Sequence, residues 1–124
     1  MEDNFSTKIP LDALDILLRL GNEFAFDPLA SQNSEEFFLS LLRGFSGEHH
    51  GLEEWLRSHI QNAFRCVGAR PNWIQGSAWP FTSEGPMVFV GQLDIPAGLF
   101  HDEASFFTFY KPETGQIATI LQVA

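Results

Sequence analysis

Four histidines, one cysteine and adjacent carboxylate pairs such as Glu35-Glu36, Glu53-Glu54 and Asp102-Glu103 are the residues of this chain whose chemistry goes beyond packing. Cys66 as a nucleophile would need a base, and the nearest in sequence is His59, about two helical turns upstream on a continuous helix. A lone cysteine is better read as a small buried hydrophobe, and it excludes an internal disulfide. His49 and His50 are adjacent in a polar stretch. His101-Asp102-Glu103 could hold a metal or run acid–base chemistry, but it lacks the spaced ligand sets of zinc sites. Glu35-Glu36, Glu53-Glu54 and Asp102-Glu103 do not share a proton by construction, because adjacent residues on a helix point about 100° apart. Phosphate-loop, dinucleotide, His-Glu-x-x-His and Gly-x-Ser-x-Gly patterns are absent. The inventory therefore predicts no catalytic residue, no metal site and no cofactor.

A different constellation has binding chemistry. Gly68–Gly76, Ala78–Phe81 and Gly85–Ile95 interleave aromatic and amide residues with glycine and proline. Trp73 and Trp79 could wall a small-molecule pocket, with the carboxamides of Gln75 and Gln92 as paired donors and acceptors. The competing reading is that both tryptophans plug a sheet while the two glutamines satisfy loop backbone. That reading is favoured, because irregular backbone beneath a sheet needs such partners.

The elements that would position these residues change period halfway along the chain. Pro10 opens a first helix carrying Leu11, Leu14, Leu17 and Leu18, with Gly21 as its stop. Ser34 is the expected N-cap of a second helix with Phe37, Phe38, Leu41 and Leu42, ending near Arg43-Gly44. A third begins at about Leu52, with Leu52, Trp55, Leu56, Ile60 and Ala63 on one face. Beyond Pro71 the pattern reads as strands at Pro86–Asp94, Ser105–Tyr110 and Gln116–Val123. Met87, Phe89 and Leu93 are placed on one face of the first strand and Val88 and Val90 on the other, so it is expected to be central. Lys111–Gly115 fits a hairpin with glycine in the left-handed position. The expected fold is α+β: one domain over 1–124, with helices over 1–62 packed on a mainly antiparallel sheet formed over 63–124.

Charge narrows the partner. Sixteen acidic residues against seven basic leave −9, and most of that negative charge falls in residues 1–60. Such a surface repels nucleic acid and anionic lipid and attracts a basic protein. Asp12, Asp15, Glu35, Glu36, Glu53 and Glu54 are the candidate partner-binding residues, with Trp55 as an aromatic anchor unless its place on the apolar stripe makes it core. The acidic start Met1–Asn4 does not resemble a secretory signal, and no apolar run reaches the roughly 18 residues of a membrane span. A cytoplasmic location is the expectation. Thirteen phenylalanines and three tryptophans supply the apolar area that a short chain without disulfides needs.

The pattern Pro71-x-Trp73-Ile74-Gln75, followed after Trp79-Pro80 by Gly85-Pro86-Met87-x-Phe89-Val90-Gly91-Gln92-Leu93-Asp94, resembles the YwqG-like domain and related bacterial immunity-type proteins. Phe106–Tyr110, Thr114-Gly115 and Gln122 continue the likeness, which spans roughly Phe64 to Gln122. The resemblance implies a small protein of toxin–antitoxin neighbourhoods that binds a toxin domain and occludes it. It brings no catalytic residues with it. A small-molecule binding module, or an interaction protein of another kind, is the alternative.

Overall fold

The structure is a computed structural model that describes residues 7–98 and 102–124; Met1–Asn4 and His101 lie outside the described residues. Three helices precede two antiparallel sheets, an α+β architecture.

Helix α1 spans Leu11–Phe24 and buries Ala13, Leu14, Ile16, Leu17, Leu20 and Phe24. Leu11 and Leu18 lie seven residues apart on the opposite, exposed side, so the inward stripe is not the one drawn through all four leucines. The helix also runs past Gly21, and Ala25 forms the left-handed cap at φ 70°. Gly21 has a different task. A β-carbon there would stand 2.5 Å from the Phe26 carbonyl oxygen, and the Phe26 N–H bonds the Gly21 carbonyl at 3.0 Å. Glycine is required because the chain doubles back onto it, which no local spacing reveals.

Helix α2 (Gln32–Arg43) starts one turn earlier than the Ser34 cap predicts. Ser31 is the N-cap, and Ser34 closes a reciprocal pair: its N–H donates to Ser31 Oγ at 3.1 Å, while its own Oγ accepts the Ser31 N–H at 2.9 Å. Serine at this position substitutes for the usual Glu or Gln of a capping box, so the sequence pattern points to Ser34 rather than Ser31 as the cap. A short helical turn at His49–Gly51 feeds helix α3, Leu52–Ala63, which buries Leu52, Leu56 and Ile60 at four-residue intervals.

The second half contains a small hairpin, β1 (Phe81–Thr82) with β2 (Gly85–Pro86), and a meander of β3 (Val88–Ile95), β4 (Ala104–Lys111) and β5 (Gln116–Val123). The meander's order is β3-β4-β5, so β4 is central and β3 is an edge strand, contrary to the expectation for Pro86–Asp94. A bulge also changes which of its side chains face inward. Phe89 pairs with Phe109 but Gly91 pairs with Thr108, leaving Val90 as the extra residue. Every later side chain changes face, so Leu93 points outward at 63% exposure while Gln92 and Asp94 turn inward. The turn after β4 is closed by Gly115 at φ 78°, whose N–H bonds the Lys111 carbonyl at 2.8 Å. Beside it, the buried Lys111 ammonium reaches Glu84 at 2.9 Å and Glu113 at 3.3 Å, tying the small hairpin to this turn.

The core is aromatic and shared by both halves. Phe26, Phe38 and Phe64 stack, Phe64 meets Trp79 edge-on at 5.2 Å, and Trp79 continues to Phe109 at 5.4 Å. These contacts join the helices to one face of the meander. Among the described residues, no helix packs on its other face.

Candidate functional site

Residues 72–76 form a strap across the inner side of all three meander strands, and the glutamines hold it there. Over β3, Gln92 Oε1 accepts the Asn72 N–H at 2.8 Å while its Nε2 donates to the Asn72 carbonyl at 3.1 Å. Over β4, the Trp73 ring lies 4.4 Å from Phe107. Over β5, Gln122 Oε1 accepts the N–H groups of Ile74 and Gln75, both at 2.9 Å, and its Nε2 donates to the Gly76 carbonyl at 2.9 Å. Gln75 Nε2 donates to the Val123 carbonyl at 2.6 Å. Each carboxamide thus does for irregular backbone what a neighbouring strand would do.

The two tryptophans do not wall one pocket. The Trp73 indole N–H donates to the Ala25 carbonyl at 2.8 Å, locking the strap to the end of α1. Trp79 is 1% exposed and donates to the Met87 carbonyl at 2.8 Å. A depression of about 450 Å³ does exist beside the strap, lined by Trp73, Gln92, Asp94 and Ser105 among others. Three of its polar side chains are committed to one another, since Asp94 accepts from Ser105 Oγ at 2.6 Å and from Gln92 Nε2 at 2.8 Å, and Asn72 and Glu103 complete the polar lining. The Ser105 hydroxyl first, and the Gln92 amide second, hold the Asp94 carboxyl below its ordinary range.

A carboxyl lowered on folding stabilises the protein above its unfolded-state value, and that stability is lost as pH falls through the folded value. Asp94→Asn should therefore be less stable than the parent at pH 7. The gap should narrow on acidification below about pH 4, as read by urea unfolding at a series of pH values. A gap independent of pH would show that Asp94 acts only by shape.

The candidate acids divide between two places. Asp12, Asp15 and Glu53 meet in a shallow cleft of about 350 Å³ between α1 and the start of α3, with Arg19, His49 and His50. There Arg19 bonds Glu53 at 3.0 Å and approaches Asp15 at 3.8 Å, while His49 Nδ1 lies 3.6 Å from Asp12. Arg57 pairs with Glu23 and lies 3.6 Å from Glu53. Glu54 is exposed on α3. Glu35 and Glu36 belong to α2 instead. Glu35 accepts the Thr7 hydroxyl at 2.5 Å and the Lys8 N–H at 2.8 Å, and those two bonds hold its carboxyl below its ordinary range. It fastens the approach to α1, and Glu36 pairs with Gln32 at 3.2 Å on its own helix.

Trp55 is half-buried. Its ring packs at a tilt between Phe45 at 5.1 Å and His59 at 4.2 Å and lines a groove of about 430 Å³ with Phe37 and Leu41. The His59 Nδ1 is engaged with the Trp55 carbonyl at 2.9 Å. Cys66 sits in an isolated bridge with Phe89, and burial pushes its thiol up, with Arg70 opposing weakly. That is the reverse of an activated nucleophile. Among the described residues, no three His, Cys, Asp or Glu side chains converge to hold a metal ion, and no helix is long and apolar enough to cross a membrane.

No family model, curated protein or solved structure matches the chain. Gln122 is the structural residue that the pocket reading passed over. Its signal is present in β5, where Ala118 and Ile120 alternate inward and the next inward position is a carboxamide.

Proposed function

We propose that this protein acts by binding a basic protein partner through the α1/α3 surface, with neutralisation of a co-encoded toxin as the specific form of that activity. The observation that carries the reading is the gathering of Asp12, Asp15 and Glu53 into one cleft, with Glu23 and Glu54 on the same two helices, Glu48 just ahead of the turn that feeds α3, and only Arg19 and Arg57 on those helices to offset them. The internal ion pairs are solvent-exposed and contribute little stability, so they leave a net negative field. Such a field acts mainly on the rate and selectivity of encounter. The toxin assignment rests on the motif resemblance over the strap and meander. The Gln75, Gln92 and Gln122 carboxamides are hydrogen-bonded within the fold, which favours protein binding over capture of a small molecule by them.

Asp15→Lys combined with Glu54→Lys should slow association with the neighbouring gene's product about 10-fold at low salt and flatten its salt dependence. Surface plasmon resonance over a salt series measures this, with circular dichroism confirming the fold. An unchanged rate and salt slope would remove this surface from the interface.

A further inference from the structure

The chain protects one edge of the meander and leaves the other open. Along β3, residues 65–67 run beside the strand: the Val67 N–H donates to the Phe89 carbonyl and the Phe89 N–H to the Arg65 carbonyl, both at 2.9 Å. The bulge at Val90 then breaks the line of that edge. β5 has neither device. Its register with β4 is unbroken from Gln116 to Val123, and none of those eight residues is charged or is proline. Proteins usually blunt an exposed edge with such features, because a row of open N–H and C=O groups is a template for another strand. The Ala124 N–H donates to the Glu103 carbonyl at 2.9 Å, and opposed pairs in an antiparallel ladder alternate between bonded and non-bonded. Counting back through the register, Gln122, Ile120, Ala118 and Gln116 face β4, whereas Val123, Leu121, Thr119 and Ile117 turn their N–H and C=O groups away from it. All four of the latter are exposed. Among the described residues no backbone group bonds them, and the Gln75 side chain on the Val123 carbonyl is the one amide that does.

We propose that the β5 edge is a strand-addition site, which takes an extended segment of a partner protein as a fourth, antiparallel strand of the meander. Backbone chemistry fixes the kind of occupant. Donors and acceptors that recur about every 7 Å along a line are matched by another extended chain and by little else. The side chains narrow it further. Residues of the added strand that bond to Ile117, Thr119, Leu121 and Val123 lay their side chains on the same face as those four. Ile117 and Leu121 are 65% and 53% exposed there, so the segment is apolar at every second position. Charge completes the description. The chain carries −9 and β5 adds nothing to offset it, so the segment is free of acids and carries Lys or Arg at its ends. A second copy is disfavoured on the same ground, because it brings another −9 to the edge. The edge shares no residue with the α1/α3 cleft, so either proposal can fail alone.

Titration of the full chain with a synthetic peptide of alternating threonine and valine, flanked by lysines, tests it by nuclear magnetic resonance of the amides. Binding should saturate with a dissociation constant of about 100 µM, weak because a flexible peptide must be ordered. The amides of Ile117, Thr119, Leu121 and Val123 should then exchange at least ~10-fold more slowly, while those of Ala118, Ile120 and Gln122 change little. N-methylation of the peptide's valines should weaken binding at least ~10-fold, whereas N-methylation of its threonines, whose N–H groups point away from β5, should not. Thr119→Pro removes one outward N–H without breaking a bond to β4, and should weaken binding about 10-fold with an unchanged circular dichroism spectrum. The methylated peptides decide the matter even if that variant does not fold. No binding at about 1 mM peptide overturns the proposal. So does equal protection of all seven amides, or indifference to which set is methylated. The same alternate protection appearing without peptide, and rising with protein concentration, would make a second copy the occupant and overturn the choice made here.

Discussion

Replacing Trp79 by alanine should lower the unfolding free energy by about 3–5 kcal/mol, the range for removing a large aromatic from a packed core. Trp79 is 1% exposed and bridges the two halves, meeting Phe64 from the end of α3 and Phe89 and Phe109 from the meander. Truncation opens a cavity between helices and sheet and leaves the Met87 carbonyl without its 2.8 Å indole donor. Domains of this size are stable by only about 5–15 kcal/mol, so the loss would bring the folded state close to its limit. Trp79→Phe keeps most of the ring burial and should lose less, with the orphaned carbonyl adding about 1–3 kcal/mol. Urea unfolding followed by far-ultraviolet circular dichroism measures both. A loss below about 1 kcal/mol for the alanine variant would mean that the two halves do not depend on a shared core.

The second large effect belongs to Gln122, which is 7% exposed. Gln122→Leu preserves bulk but strips partners from the Ile74 and Gln75 N–H groups and from the Gly76 carbonyl. Each unsatisfied buried group costs about 1–3 kcal/mol, and water reaching the strap edge reduces the sum, so about 2–4 kcal/mol is expected. The strap should also loosen before the protein unfolds. Hydrogen exchange at Ile74 and Gln75 should therefore quicken in the variant, while the exchange of α1 amides changes little. Equal acceleration everywhere would show that the strap is not a separate cooperative piece.

The helices were legible because their buried stripes recur at helical spacing, and α3 lies where Leu52, Leu56 and Ile60 put it. The hairpin was legible from Gly115. What the sequence could not show depends on contacts distant along the chain. Gly21 reads as a helix stop, yet the returning Phe26 backbone is what demands it. Leu93 reads as inward until the bulge at Val90 is known, because one inserted residue inverts the phase of everything after it. Trp73, Gln75 and Gln92 read in the sequence as amide and aromatic partners for irregular backbone. The inward direction was already the favoured reading; what the sequence could not show is which backbone groups are bonded, because that follows from the three-dimensional crossing of residues 72–76 over β3, β4 and β5. The six acids could not be sorted from composition. Only the packing of α1 beside α3 brings Asp12, Asp15 and Glu53 together, while α2 carries Glu35 and Glu36 elsewhere.

The claim that matters most is that the molecule works by engaging another protein through its acidic helical surface. Co-expression with the adjacent gene's product, followed by purification through a tag on that product and a growth assay, tests it most directly. The predicted result is a stoichiometric complex, faster to form at low salt, and survival of cells that the neighbour alone would arrest. Two proteins that elute separately at micromolar concentration, together with unrelieved arrest, would contradict it.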